Sequence, residues 1–150
     1  MFQNLLPIVI EDSQSKFEDG DEHELAKGSE TILLVEDEEL VKGIAYKVLC
    51  RQGYKVLHAS NGGEAVVLAE NHEGFINLLV TDVIMPIVNG KELAERLKKM
   101  RPDMKILYTS GYTADVIAHH GVLDEGMNFL GKPYSPFALA KAVRDVLDTK

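Results

Sequence analysis

Four short clusters hold the side chains best able to do chemistry: Glu36-Asp37-Glu38-Glu39, Thr81-Asp82, Thr109-Ser110-Gly111 and Gly131-Lys132-Pro133. Brought together, they would place carboxylates, a hydroxyl and an ammonium around one anionic group. Two carboxylates about 4 Å apart repel by roughly 4 kcal/mol at an effective dielectric of 20. Such a cluster needs a cation, and hard oxygen ligands with an open face suit magnesium. Lys132 adds one positive charge, but a mobile point charge does not replace the metal.

The elements that must position these clusters are legible in the hydrophobic pattern. Short apolar runs at Thr31–Glu36, Tyr54–Ala59, Ile76–Thr81, Lys105–Thr109 and Met127–Leu130 read as strands. Most are rich in Ile, Leu and Val without polar alternation, as in a parallel sheet buried on both faces. Between them, Leu40, Val41, Ile44, Ala45, Val48 and Leu49 fall on one helical face, with Gly53 at the C-cap. Asn61 with Glu64, and Asn89 with Glu92, are capping boxes. The first opens a helix to about His72, and the second leads through Leu93, Leu97 and Met100 to Pro102. A short helix is expected after Thr113, and Ser135-Pro136 opens a last one with Leu139, Ala140, Val143, Val146 and Leu147 as its apolar stripe. Five strands alternating with five helices predict a doubly wound α/β domain, with right-handed crossovers and its ligand site beyond the carboxyl ends of the strands. The four chemical clusters all fall there.

On these residues, the segment 31–148 resembles the receiver domain of two-component response regulators. The resemblance rests on Glu36 and Asp37 after the first strand, and on Asp82 followed by Met85-Pro86 and Gly90. Ser110-Gly111 after the fourth strand and Lys132-Pro133 after the fifth complete it. It implies a flavodoxin-like sheet in the order 2-1-3-4-5 with helices on both faces. By the same resemblance, Asp82 is the phosphoacceptor that attacks a phosphohistidine donor in line. Asp37 is then a direct magnesium ligand, Glu36 acts through water, and Asp82 with the backbone carbonyl of Ile84 completes the protein's share. Manganese is the alternative metal, and no organic cofactor is implied. Lys132 and Ser110 would each bind a phosphoryl oxygen, and Phe129 would change rotamer with Ser110 on activation. The Lys132–Pro133 peptide is expected to be cis. Ile84 and Tyr112 would flank the line of water attack; neither is a good general base near neutral pH, so slow self-dephosphorylation is expected. The domain would promote its own phosphorylation and dephosphorylation without turning over a separate substrate.

Phosphoryl transfer with a loose transition state relies on positioning and charge stabilisation, which these residue types supply. No G-x-x-x-x-G-K-[ST] or G-x-G-x-x-G motif occurs, and a phosphohistidine donor makes an ATP loop unnecessary. Plainer readings stand beside several residues. Glu38 and Glu39 serve the helix macrodipole, Phe129 also reads as ordinary core, and Cys50 as a small apolar residue. Aligning from Arg101-Pro102-Asp103 puts Ser110, rather than Thr109, in the phosphate-binding place. His23-Glu24-Leu25 lacks the surroundings of a kinase phosphorylation box, and His58, His72, His119 and His120 share no metal-ligand spacing. Gly62-Gly63 is a helix start rather than a phosphate loop. A flavodoxin would need a hydroxyl- and glycine-rich first loop. An aspartate-nucleophile phosphatase would need a second Asp where Ile84 stands. A degenerate receiver acting only as a binding module would lack groups that are all present.

The charge of −8 is concentrated at the front: residues 1–30 hold eight acidic and two basic side chains. Nucleic-acid binding through phosphate neutralisation has no basic surface to use. One cysteine excludes a disulfide framework, and the N-terminus has no secretion signal, so the expected setting is cytoplasmic with no direct membrane contact. The expected domains are a leader and acidic linker over 1–30 and a receiver over 31–150. Phe2 to Val9, with Leu5-Leu6-Pro7, resembles the exit of a histidine-kinase ATP-binding domain. That points to the C-terminal receiver of a hybrid sensor kinase, which would be membrane-tethered in its parent chain, with a stand-alone regulator as the alternative. The chain ends after the last helix, so output is expected to pass through contacts or onward phosphotransfer. The expected partner is a histidine kinase or histidine phosphotransfer protein, with the oligomeric state open between monomer and weak dimer.

Overall fold

The computed structural model describes residues 27–85, 87–111 and 127–149. In chain order these form β1 (Thr31–Val35), α1 (Glu39–Arg51), β2 (Lys55–Ala59), α2 (Gly62–Asn71) and β3 (Leu78–Asp82), followed by α3 (Gly90–Met100), β4 (Lys105–Ser110), β5 (Phe129–Gly131) and α4 (Pro136–Leu147). The sheet is parallel throughout, in the order β2-β1-β3-β4-β5, as expected. Most of the leader, the helix expected after Thr113, Tyr112, Pro86, His119, His120 and the His23-Glu24-Leu25 triplet lie outside the described residues.

Side chains of β1 alternate between two cores. Ile32 and Leu34 pack with Ala45 and Leu49 of α1 and Leu139 and Val143 of α4. Leu33 and Val35 pack with Ala65 of α2 and Leu93 and Leu97 of α3. Both faces of the sheet are thereby closed, as an all-parallel sheet requires. β2 departs from the continuous-burial expectation because it is an edge strand: of its residues only Ala59 is buried. The third and fifth strands begin two residues later than their apolar runs, at Leu78 and Phe129.

The α1 stripe is also shorter than the sequence suggests. Ala45, Val48 and Leu49 are buried, but Leu40 is 79% and Ile44 50% exposed. Thirteen helical residues rise about 20 Å against about 16 Å for a five-residue strand, so the first turns of α1 overhang the carboxyl rim of the sheet. Met100 and Cys50 are exposed too.

The capping signals work as chemistry demands. Asn61 Oδ1 accepts the Glu64 amide at 2.9 Å, while Glu64 Oε1 reaches back to the Ser60 amide at 2.8 Å. Asn89 Oδ1 accepts from Glu92 at 2.8 Å, and Ser135 Oγ accepts from Ala138 at 3.0 Å. At the other end of α2, the Arg101 guanidinium donates to the carbonyls of Ala69, His72 and Gly74. Gly53 follows α1 with φ +100°, the left-handed closure that suits glycine.

Residues just ahead of β1, which the sequence assigns to the leader, are held against the domain. The Gly28 amide donates to the Gln52 carbonyl at 3.1 Å. Glu30 makes two hydrogen bonds to Arg144 of α4, at 2.7 and 3.2 Å. Arg144 also donates to the Tyr54 hydroxyl and to Asp148. The hydrogen bond from Arg144 holds the Glu30 carboxyl below its usual range. A depressed carboxyl stabilises the fold above its unfolded-state value and loses that stabilisation as pH falls through the folded value. Glu30→Gln is therefore expected to lower stability at pH 7 by about 1 kcal/mol. Thermal melts should show the gap from wild type closing as the pH is taken below about 4.

Candidate functional site

The carboxyl ends of β1, β3, β4 and β5 lie side by side on one rim, and the loops leaving them enclose a cavity of about 620 Å³. Asp82 is the last residue of β3, and Glu36 directly follows β1, which pairs with β3. Lys132 follows β5, and its Nζ bridges the two acids, 2.8 Å from Asp82 Oδ2 and 2.9 Å from Glu36 Oε1. All three side chains are largely buried. Their remaining polar atoms are also engaged. Asp82 Oδ1 accepts the Ile84 amide at 3.2 Å, and Glu36 Oε2 accepts the Glu38 amide at 3.1 Å.

Asp37, exposed at the cavity wall, adds a third carboxylate. One oxygen from each of Glu36, Asp37 and Asp82 can be chosen so that all lie within 4.8 Å of one another. An all-oxygen set this close, opening onto a cavity, fits a hard divalent cation such as magnesium. Ile84 lines the same cavity. Its amide already grips Asp82, so the loop after β3 wraps the carboxylate.

Electrostatics follow from burial. Desolvation raises the Asp82 carboxyl above its ordinary value, against the pull of the Lys132 hydrogen bond, and Glu36 is raised for the same reason. Burial alone would lower the Lys132 ammonium, but its hydrogen bonds to Asp82 and Glu36 outweigh that and hold it above the ordinary lysine value. Lys132 therefore stays charged at neutral pH.

Ser110 is 1% exposed and lines the cavity, whereas Thr109 lies in the sheet and accepts the Val83 amide through its carbonyl. The Ser110 carbonyl accepts the Lys132 amide at 2.7 Å, tying the ends of β4 and β5 together. The Lys132–Pro133 peptide is cis. Phe129 does not line the cavity; it is partly buried against the core shared with Tyr108 and Leu79. Glu38 reaches Lys132 at 3.5 Å, and Glu39 pairs with Lys42 and Ser60, so neither serves the helix dipole alone. Gly90 is required sterically, because a Cβ there would overlap the Asp82 carbonyl oxygen. Tyr134 is a cavity residue that residue-type reasoning missed. Burial pushes its hydroxyl up to about 12, and its position just after Lys132-Pro133 was the available signal.

A family model described as response regulator receiver domain matches residues 32–144. The sensor kinase CckA of Brucella abortus (strain 2308) is 39% identical over 121 residues, which cover 81% of this chain and 13% of that kinase. The response regulator receiver protein CpdR of the same strain is 31% identical over 116 residues, 77% of this chain and 95% of CpdR. Among solved structures, the receiver domain from hybrid histidine kinase CckA is 36% identical with a TM-score of 0.67, covering 79% of this chain and 99% of that one. A receiver protein from Sinorhizobium medicae WSM419 is 28% identical with a TM-score of 0.70, covering 81% and 96%.

Three crowded carboxylates balanced by one close ammonium leave net repulsion in the folded protein. Asp82→Asn removes one negative charge while Lys132 keeps Glu36. In chelator-treated buffer at pH 7 this substitution is expected to raise the melting temperature by about 3–6 °C, measured by thermal unfolding. An unchanged or lower value would mean that the Asp82–Lys132 attraction outweighs the crowding.

Proposed function

The chain belongs to the response regulator receiver domain family, and we propose that it accepts a phosphoryl group from a phosphohistidine onto Asp82. Receivers of this family act in two-component signalling, generally bind magnesium, and interact with histidine kinases or phosphotransfer proteins. The observation that carries the reading is the Lys132 ammonium bridging Asp82 and Glu36 at the floor of an open cavity that Asp37 and Ser110 also line.

An Asp82 carboxylate oxygen attacks phosphorus in line, a P–O bond forms, and the donor's P–N bond breaks with its electron pair returning to the imidazole. The Ile84 amide orients the attacking carboxylate. Lys132 moves its hydrogen bond from Asp82 to a phosphoryl oxygen, offsetting charge where it develops. The Ser110 hydroxyl donates to another phosphoryl oxygen. Asp37, Glu36, Asp82 and the Ile84 carbonyl would hold magnesium, whose charge offsets both the carboxylates and the phosphoryl oxygens when it is bound. Ser110 and Phe129 form the switch pair: Ser110 drawn toward the phosphoryl group opens space into which Phe129 turns. Ligand contacts that differ between two arrangements are what bias such an equilibrium.

The setting proposed is cytoplasmic, as the C-terminal receiver of a hybrid sensor kinase preceded by a leader and acidic linker over residues 1–30. No helix among the described residues is long and apolar enough to cross a membrane. The match to a much longer sensor kinase supports the hybrid reading, and purification of the parent protein from its source would test it by mass.

Incubation with phosphoramidate and magnesium should add one phosphoryl mass to the wild type and none to Asp82→Asn. Asp37→Ala should need much more magnesium to reach the same extent. Full labelling of Asp82→Asn would remove Asp82 from its role. Ile84 and Tyr112 should shield the aspartyl phosphate from in-line water. In a decay time course at neutral pH, Ile84→Asn is expected to lose its phosphoryl group several-fold faster than wild type. Equal or slower loss would refute shielding by Ile84.

A further inference from the structure

Ile87 occupies a backbone conformation that its side chain disfavours. Its φ is +71°, the only left-handed non-glycine residue among those described. A β-branched residue is the least tolerated kind there, whereas glycine and asparagine adopt it readily. The loop imposes the conformation from both sides. Ahead of it the Ile84 amide is held by Asp82, and beyond it the Gly90 amide donates to the Val83 carbonyl at 2.7 Å. Met85 is buried and Val88 packs on the core beside Gly62. With Met85 and Val88 committed inward, the residue at 87 is turned outward.

The loop's own contacts hold this backbone angle, but nothing within the described domain repays having isoleucine there in place of glycine or asparagine. The Ile87 side chain is 100% exposed, so it gains no burial in return. Backbone strain that the fold does not recover points to use in a functional contact. The location narrows that contact. Ile87 stands five residues after Asp82, on the loop whose Ile84, 44% exposed, forms part of the cavity wall. Asp82 itself is only 6% exposed. A histidine side chain is short, so a protein presenting phosphohistidine to Asp82 must bring its own surface down onto the loops around the opening. That surface would cover Ile87. Beside the acidic Asp37 and Glu38, the opening carries Val41, Ile44 and Ile84, and Ile87 adds a fully exposed apolar side chain to that surface.

We infer that Ile87 is a docking residue for the phosphohistidine-bearing protein, held outward to be buried against an apolar side chain beside that histidine. This rests on the proposed phosphoacceptor function. Its test therefore uses two donors: phosphoramidate, which needs no docking, and the autophosphorylated sensor kinase CckA of Brucella abortus with its own receiver aspartate replaced.

Ile87→Asn should raise the melting temperature by about 4 °C, because asparagine tolerates the left-handed backbone. Its labelling by phosphoramidate should be unchanged, while kcat/KM for transfer from the kinase should fall about tenfold, mostly through KM. Ile87→Leu keeps the apolar bulk and should transfer like wild type. Equal kinase transfer to wild type and Ile87→Asn would overturn the inference, as would an equal loss with phosphoramidate. An unchanged or lower melting temperature in Ile87→Asn would overturn the claim of strain. Failure of phosphoramidate to label the wild type would count against the phosphoacceptor reading itself.

Discussion

The ammonium of Lys132 is the charge on which the carboxyl rim depends. Glu36 and Asp82 come from neighbouring strands, and the oxygens they can present with Asp37 crowd within 4.8 Å. Burial makes that crowding more costly than it would be in water. The lysine that relieves it comes from beyond β5, two strands across the sheet from β3. Only a long, flexible side chain spans that distance and still donates to both acids. The site consequently depends on β4 and β5 being in register, which the hydrogen bond from the Lys132 amide to the Ser110 carbonyl secures. Sheet order and local charge balance are thus one constraint.

The same arrangement lets Asp82 be buried and still fit the proposed phosphoacceptor role. Its carboxylate is hydrogen-bonded on both oxygens, one to a side chain that can move and one to a backbone amide that is fixed. The fixed partner sets orientation, and the mobile one neutralises charge. Glycine at position 90 lets α3 start directly against the carbonyl of Asp82, so the main chain after this carboxylate has little freedom.

Much of this was legible from residue types. The α/β alternation, the capping asparagines and the grouping of Glu36, Asp37, Asp82, Ser110 and Lys132 at strand ends all follow from patterns with a physical cause, whereas the strand order came only through the family resemblance those residues carry. What was not legible depended on relations between elements. Leu40 and Ile44 share a helical face with Leu49, and periodicity alone cannot say that the sheet stops short of them. Continuous burial was expected of β2 from its apolar run, although the expected strand order already put it at the edge, where only Ala59 is buried. Tyr134 has no chemical signature until the chain folds it beside Lys132. Ile87 reads as one more apolar residue in a loop, because its meaning lies in a backbone angle.

The docking of Gly28 and Glu30 has a bearing on geometry at larger scale. Gly28 lies against Gln52, Tyr54 and Arg144 so closely that a Cβ on it would overlap its neighbours. The polypeptide is therefore pinned where β1 begins, about 16 Å from the rim where the strands end. Gly28 and Glu30 sit at the pole of the sheet opposite the acidic cluster. Anchorage and acidic opening thus occupy opposite ends of β1, so a substitution at Glu30 loosens one end of the domain without touching the carboxylates at the other.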